Sequence, residues 1–300
     1  MSTTALKMLA LVIMFIDHVG EFIPLTPIWF RWLGRISAPL FFFCMAWGFY
    51  YAKNRKIYLI RMYLCGVGMA ITNIMVSNLT GIHSYTSLTN NIFVTLFITC
   101  FIIFIIENLE KNPTMGKRYL LIFVTSQIIS TILVIIDNQI IFSHFNVSSD
   151  IINQFYGAIF GNIFLNEGGV PFIALGILLY YSKNSKKNLI LSYSCFCIVY
   201  TILYNTNIIA RILMRLENIL PTSIYTIIYA IPSLLSIDTI PRYHIRFYTL
   251  ISYRWMVIFA LPFMLLYNGN RGKGFKYFFY IFYPVHIYIL YFIGNNIPIN

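Results

Sequence analysis

The sequence has 300 residues, of which 59% are hydrophobic and 10% are charged, and its mean hydropathy is +0.76. One soluble core cannot bury so much apolar surface, so the composition excludes a soluble protein and predicts a membrane protein. The net charge of +12 does not indicate nucleic acid as a partner, because the basic residues collect in loops. The five cysteines lie in apolar runs without a C-x-x-C pair, so we expect neither a disulfide framework nor a metal site.

Apolar runs near 20 residues, the length of a membrane-spanning helix, recur between short polar breaks. We therefore expect an all-α, polytopic helical bundle in a lipid bilayer, with residues 1–300 forming one domain. Ten spans are predicted, at about residues 5–23, 34–51, 57–77, 91–107, 119–136, 168–182, 188–204, 222–237, 246–267 and 277–294.

Three basic loops predict the cytoplasmic side of the protein. They contain Lys53, Arg55 and Lys56; Lys111, Lys117 and Arg118; and Lys183, Lys186 and Lys187. The loops near residues 78–90 and 137–150 contain no Lys or Arg and are predicted to be extracytoplasmic. Residues 151–165 are predicted to lie in the interface or to re-enter, because a full crossing would export the loop 183–187. Ten spans also place the basic residues 271–276 outside, so one of the last four spans conflicts with the charge rule.

The stretch MFIDHVGEFIP carries Asp17, His18 and Glu21 at the end of an apolar run, with helical spacing that places them on one face. Ionisable side chains at bilayer depth cost about 2.5 to 3.5 kcal/mol each, so this face should meet the bundle interior or a water-filled cavity. Arg35, in RWLGRISAPL, is predicted to neutralise Asp17 or Glu21. The carboxylate could then orient His18 as a catalytic base, or the ion pair could serve only helix packing.

Two further candidates lie in the second half of the chain. Glu167, in LNEGGVPFIALG, precedes two glycines and Pro171, so it either serves the site or caps a helix start. His286 lies beside Pro284 in an aromatic run, and it is either a core histidine or a partner for the first site.

Basic residues beside glycines form a candidate anion site. In YNGNRGKGFKYFFYIFYPVHIY, glycines alternate with basic residues ahead of a helix, an arrangement that could bind phosphates or lipid head groups. An arginine one turn into the third span could snorkel or bind an anion. The candidate cofactor-binding residues are Arg61, Asn268, Gly269, Arg271, Gly272, Lys273 and Lys276.

The blocks LKMLALVIMFIDHVGEF, RWLGRISAPLFFFCMAWGF, YLIRMYL, NEGGVPF and YNGNRGKGFKYFFYIFYPVH resemble successive blocks of the TraX family, while residues 110–160 match only in character. The named member of that family acetylates the N-terminus of conjugative pilin, and the family is similar to transmembrane acyltransferases that use acetyl-CoA. The resemblance implies a multi-pass acetyltransferase of a bacterial cytoplasmic membrane, with acetyl-CoA as donor. The acceptor would be a pilin-like peptide or an envelope amine or hydroxyl.

In those relatives a histidine of an early helix is central, and His18 is the matching position here. The resemblance thus implies that His18 is the base, Asp17 or Glu21 orients it, Arg35 or Arg61 faces negative charge, and residues 269–276 hold phosphates. Two alternatives stay open. A proton- or cation-coupled transporter would use the acids and His18 as an ion path, and a structural subunit would pair the charges without a cavity.

Overall fold

The computed structural model describes residues 1–80, 87–140, 148–240 and 253–297, with the backbone alone at residues 137–140 and 276. The regular structure of these residues is helical, without a β-strand, which confirms the all-α fold class. The α-helices are α1 (Thr3–Phe22), α2 (Trp29–Gly34), α3 (Ser37–Tyr50), α4 (Arg55–Thr80), α5 (Ile92–Lys111), α6 (Pro113–Ile140), α7 (Ser149–Phe160), α8 (Gly169–Ser182), α9 (Lys186–Asn205), α10 (Ile208–Glu217), α11 (Thr222–Leu234), α12 (Ala260–Leu265) and α13 (Lys276–Asn295). A 3₁₀ helix (Tyr253–Phe259) precedes α12.

Six helical segments among the described residues are long and apolar enough to cross a membrane. They are Trp29–Tyr50, Arg55–Thr80, Ile92–Lys111, Pro113–Ile136, Lys186–Asn205 and Tyr277–Asn295. The prediction of ten spans is therefore not confirmed. Three apolar helical segments, Gly169–Ser182, Thr222–Leu234 and Tyr253–Leu265, are shorter than the roughly 20 residues that a span needs.

Parts of several predicted segments lie outside the described residues. These are residues 81–86 and 141–147 of the predicted extracytoplasmic loops, and residues 246–252 of the ninth predicted span.

Helix α1 packs against α2, α3 and α13. Its N-terminus is capped by Ser2, whose hydroxyl accepts a hydrogen bond from the Ala5 amide at 3.2 Å. Its buried residues are Leu6, Ala10, Leu11, Ile13, Met14, Asp17, His18 and Phe22. The buried face of α1 therefore changes from apolar to ionisable toward its C-terminal end.

The three basic loops lie at one end of the bundle, which we call the basic end. Arg55 at the start of α4 forms an ion pair with Glu107 in the last turns of α5. The same carboxylate accepts a hydrogen bond from the hydroxyl of Tyr180 in α8. The ammonium group of Lys183 lies 4.0 Å from the ring centroid of Tyr50 at the end of α3. The predicted cytoplasmic loops thus share one side.

The C-terminal basic loop lies at the basic end as well. The Thr3 amide donates to the Asn270 carbonyl at 2.8 Å, and the Thr4 hydroxyl donates to the Lys273 carbonyl at 2.6 Å. One cavity is lined by both Lys53 and Lys273. Helix α9 also starts at the basic end. The three predicted spans from residue 188 to residue 267 would place the loop that follows them at the opposite end, because an odd number of crossings changes sides. One of the three spans predicted there therefore does not fit this placement, and α11, with 13 residues and none of them buried, is one of the two shortest segments.

Helix α7 is too short to cross a bilayer. Its 12 residues rise ~18 Å at about 1.5 Å per residue, and it packs against α4 and α6. It ends at Gly161, whose φ of 62° is the left-handed conformation that glycine adopts without strain. The length agrees with a segment that lies in the interface or re-enters, which stays a prediction.

Side-specific labelling tests this topology. Single cysteines replacing Lys53, Lys183 and Arg271 are expected to react with a membrane-impermeant maleimide from one side of the membrane, because these residues share the basic end. A cysteine replacing the exposed Ser87, before α5, should react from the other side, and the parent protein gives the background. If the cysteines at positions 271 and 87 reacted from the same side of the membrane, the placement of the C-terminal loop would be contradicted.

Candidate functional site

Two arginines neutralise the carboxylates of α1. Arg31 Nη1 lies 2.8 Å from Asp17 Oδ1 and 2.7 Å from Glu21 Oε2. Arg35 Nη2 lies 3.5 Å from Asp17 Oδ2. The contact between Arg35 and Asp17 agrees with the sequence prediction, but Arg31 makes the shorter contacts and joins both acids. Removing either partner of such a buried pair leaves an uncompensated charge.

Gly34 allows the arginines to reach α1. A Cβ atom at this position would overlap the Asp17 side chain, so any larger residue would push α2 away from α1. The next turn is fixed by Ser37, whose hydroxyl donates to the Gly34 carbonyl at 2.8 Å. Gly34 therefore allows α2 to lie close against α1.

Two buried histidines form a hydrogen-bonded pair. His18 Nδ1 lies 2.7 Å from His286 Nε2, and each residue is 4% exposed. His286 Nδ1 lies 2.6 Å from the Phe282 carbonyl oxygen. Because a carbonyl can only accept, Nδ1 of His286 carries the proton and its Nε2 is an acceptor. The Nδ1 of His18 must then donate, which leaves the lone pair of His18 on Nε2.

This pair corrects one sequence prediction and decides an open one. Asp17 or Glu21 was expected to orient His18, but Arg31 holds both carboxylates and His286 takes the hydrogen bond instead. His286 is therefore a partner of the first site rather than a separate core histidine.

Glu167 connects three elements around the same site. Its Oε2 accepts hydrogen bonds from the Asn91 amide at 2.6 Å and from the Tyr283 hydroxyl at 3.0 Å. It thus caps the start of α5 and not α8, the helix that it precedes. Nearby, Asn90 Nδ2 donates to Glu21 Oε1 at 3.2 Å.

The inner cavity, with a volume of about 220 Å³, lies among these side chains. It is lined by the predicted residues Asp17, His18, Glu21, Arg35 and Glu167, together with Arg31, Asn90 and Tyr283. His286 does not line this cavity, and its connection to the cavity is the hydrogen bond to His18. Three buried polar atoms here, Asp17 Oδ1, Arg35 Nε and Asn90 Oδ1, have no hydrogen-bond partner in the described part of the chain, although Asp17 Oδ1 forms the ion pair with Arg31. One N–H donor and one amide acceptor are thus available to a ligand.

Sequence reasoning missed Arg31, Asn90 and Tyr283 as site residues. Arg31 shares a helical face with Arg35, and Tyr283 precedes His286 by three positions, so helical spacing could have indicated both. Asn90 gave no such signal, because it lies ahead of its helix.

The basic cavity, with a volume of about 710 Å³, lies at the basic end. Its lining includes five cationic residues: Lys7, Lys53, Arg61, Arg271 and Lys273. No aspartate or glutamate is among the described residues that line it. Such a lining favours a ligand with several negative charges.

The predicted cofactor-binding residues divide between this cavity and its surroundings. Arg61, Gly269, Arg271 and Lys273 line it. Asn268 and Gly272 instead shape the loop. The Asn268 side chain accepts a hydrogen bond from the Asn270 amide at 3.1 Å, and Gly272 packs against the start of α1. The side chain of Lys276 lies outside the described part of the structure.

The two cavities meet beside His18. Four residues, Met14, Phe41, Ile92 and Tyr283, line both of them. Thr4, at the basic end, and His18 are 14 positions apart in α1, which corresponds to ~21 Å along the helix. His18 therefore lies at the inner end of a long path that starts among cations.

Asp17, His18 and Glu21 are also close enough to hold a metal ion, since one ligand atom from each lies within 4.8 Å of the others. Both carboxylates are engaged by Arg31, and a second guanidinium, from Arg35, lies beside them. These two positive charges would repel a divalent cation. We assign no metal to this group.

Comparison with known proteins gives one match. The family model described as TraX protein matches residues 2–148, which contain α1 to α6 and both arginines, but not Glu167, the C-terminal loop or His286. Searches of curated proteins and of solved structures returned no match. Residues 2–148 of the chain are similar to the TraX family.

Proposed function

We propose that the chain is a membrane-embedded acetyltransferase that moves an acetyl group from acetyl-CoA to an amine or hydroxyl of a pilin-like peptide or cell-envelope acceptor. The membrane would be the cytoplasmic membrane of a bacterium. The observation that carries the proposal is the position of His18, which lines a cavity that meets a long basic cavity, and whose hydrogen bond to His286 leaves the lone pair on Nε2. The similarity of residues 2–148 to the TraX family supports it.

The basic cavity matches the chemistry of the donor. Coenzyme A carries three phosphate groups at one end and its thiol at the end of a long, uncharged arm. The cations at the basic end would hold the phosphates, and the apolar wall that includes Leu11, Met14 and Leu96 would receive the arm. The path of ~21 Å to His18 suits a donor whose acyl group is far from its phosphates.

The residues around His18 can perform acetyl transfer by general base catalysis. The acceptor nitrogen or oxygen attacks the thioester carbonyl carbon while His18 Nε2 removes its proton. Arg35 Nε, a donor without a partner in the described structure, would donate to the carbonyl oxygen as negative charge develops there. The C–S bond then breaks, and the coenzyme A sulfur takes the proton from His18. The base is thus regenerated, and the hydrogen bond to His286 keeps its tautomer.

The acceptor would enter through the inner cavity. Its lining extends to Thr89 and Asn90, which precede α5 at the end opposite to the basic loops. The free Oδ1 of Asn90 can accept a hydrogen bond from the attacking N–H or O–H group. Donor and acceptor would therefore approach His18 from different ends of the bundle. We do not propose a transporter, because Arg31 engages the α1 carboxylates that an ion path would need free.

The proposal is tested by incubating the purified protein in detergent with radiolabelled acetyl-CoA and candidate acceptors. We would use a peptide with a free N-terminal amine and an amino sugar. The expected result is label in one acceptor and release of an equal amount of coenzyme A thiol. Heat-unfolded protein is the control. Thiol release without a labelled product, or no release with any acceptor, would contradict acetyl transfer.

A further inference from the structure

An exposed aromatic ring lies at the mouth of the basic cavity. Tyr51, which follows the last residue of α3, lines this cavity and is 68% exposed. One face of its ring is stacked on Trp47, with centroids 5.6 Å apart and planes 14° apart. Trp47 in turn packs edge-on against Tyr267 at 4.9 Å. Trp47 thus supports the Tyr51 ring, which also meets the Tyr50 ring almost at a right angle, with centroids 4.9 Å apart. The exposed remainder of the Tyr51 ring is open to a ligand.

The cations around this ring are not paired with acids. No ion pair involving Lys7, Lys53, Arg61, Arg271 or Lys273 is found among the described residues. By contrast, Arg55 and Lys111, at the same end but outside the cavity, share Glu107. The unpaired charge faces the cavity, and a single phosphodiester could not balance it. Several phosphate charges on one ligand could.

The indole of Trp47 adds a specific donor. Its Nε1 is buried and has no hydrogen-bond partner in the part of the chain that the structure describes. A buried N–H without a partner is unfavourable, so a ligand acceptor atom would satisfy it. A lipid head group brings phosphate but no aromatic ring to stack. A nucleotide brings a flat base, several phosphates and acceptor atoms together.

We infer that the mouth of the basic cavity is a nucleotide subsite, in which a purine stacks on the exposed part of the Tyr51 ring and the phosphates bind the five cations. The inference rests on the proposed function for the identity of the ligand, the adenosine part of acetyl-CoA. It adds that the donor is recognised through its nucleotide. An acetyl group on the phosphopantetheine of a carrier protein would leave the Tyr51 ring uncovered, so it should be a poor donor.

The test compares Tyr51→Leu with Tyr181→Leu by titration calorimetry of the purified full chain. Tyr181 is a matched control, because it is 50% exposed, lies at the basic end and does not line the cavity. The probes are adenosine 3′,5′-bisphosphate and pantetheine 4′-phosphate. Tyr51→Leu is expected to raise the Kd for the bisphosphate about tenfold, the size of one lost base stack. It should leave the Kd for the pantetheine probe unchanged. Tyr51→Trp should retain nucleotide binding, and Tyr181→Leu should match the wild type.

Each outcome bears on the subsite separately from the enzyme activity. Equal binding of the bisphosphate by Tyr51→Leu and Tyr181→Leu would overturn the subsite, even in a protein that transfers acetyl. Tyr51-dependent binding without any acetyl transfer would support the subsite and contradict the proposed function. Displacement of the bisphosphate by an equal concentration of solubilised phosphatidylglycerol would assign the cations to lipid head groups and overturn the inference.

Discussion

Replacing His18 with asparagine is expected to lower kcat for acetyl transfer by about 10²- to 10⁴-fold, which is the usual contribution of a positioned base. The asparagine amide can still donate a hydrogen bond to His286 Nε2, so the buried acceptor keeps a partner. Asparagine has no counterpart of His18 Nε2, so nothing takes the proton from the acceptor. The fold should therefore persist while the chemistry is lost, as measured by kcat, by KM for acetyl-CoA and by Tm in detergent.

His286→Gln serves as the matched comparison for His18. A glutamine oxygen can accept the Nδ1–H of His18, so this variant should retain more activity than His18→Asn and show an altered pH profile. Acetyl-CoA binding should survive in both variants, because the basic cavity is unchanged. Turnover at the wild-type rate by His18→Asn would exclude His18 as the base.

Replacing Arg31 with methionine is expected to be the most destabilising single change at the site. The guanidinium contacts Asp17 and Glu21 at 2.8 and 2.7 Å, so its loss leaves two carboxylates with much weaker compensation. Breaking a buried ion pair from one side costs about 3 to 5 kcal/mol. A large fall in Tm of the detergent-solubilised protein is the expected measurement.

Two other arginines provide the controls for this change. Arg35→Met should lower Tm less, because its contact with Asp17 is 3.5 Å long and its side chain is 27% exposed. Arg118→Met, at an exposed position of α6, should leave Tm unchanged. Adding Glu21→Gln to Arg31→Met should recover part of the loss, since one uncompensated charge is removed. Equal Tm values for Arg31→Met and Arg35→Met would contradict the central role of Arg31.

The class of the protein and the ionisable face of α1 could be predicted because both depend on local information. Composition alone indicates a membrane protein, and helical spacing places Asp17, His18 and Glu21 on one face. The cost of charge in a bilayer then requires a partner, and an arginine of the next helix is the nearest. Spacing cannot decide which of two arginines on one face makes the shorter contacts. That choice depends on the close approach at Gly34.

The partner of His18 could not be predicted, because it lies 268 positions away in the sequence. Periodicity within α1 and within α13 gives the faces of each helix but not their relative height in the bundle. The predicted number of spans is not confirmed for a related reason. Hydropathy measures apolar length, and a short helix such as α11 is as apolar as a true span. The contact between Thr4 and Lys273 supplied the missing information about which loops share an end.

The four residues that line both cavities, Met14, Phe41, Ile92 and Tyr283, have a consequence for the permeability of the membrane. A membrane that stores an ion gradient would lose it through a protein with a continuous water-filled channel. Here the wall where the two cavities meet is formed by aliphatic and aromatic side chains, which ions cross poorly. The Tyr283 ring is held in this wall because its hydroxyl donates to Glu167 and accepts the Ile92 amide at 3.1 Å. An acetyl group handed across at His18 could therefore change sides without an accompanying leak of protons or sodium.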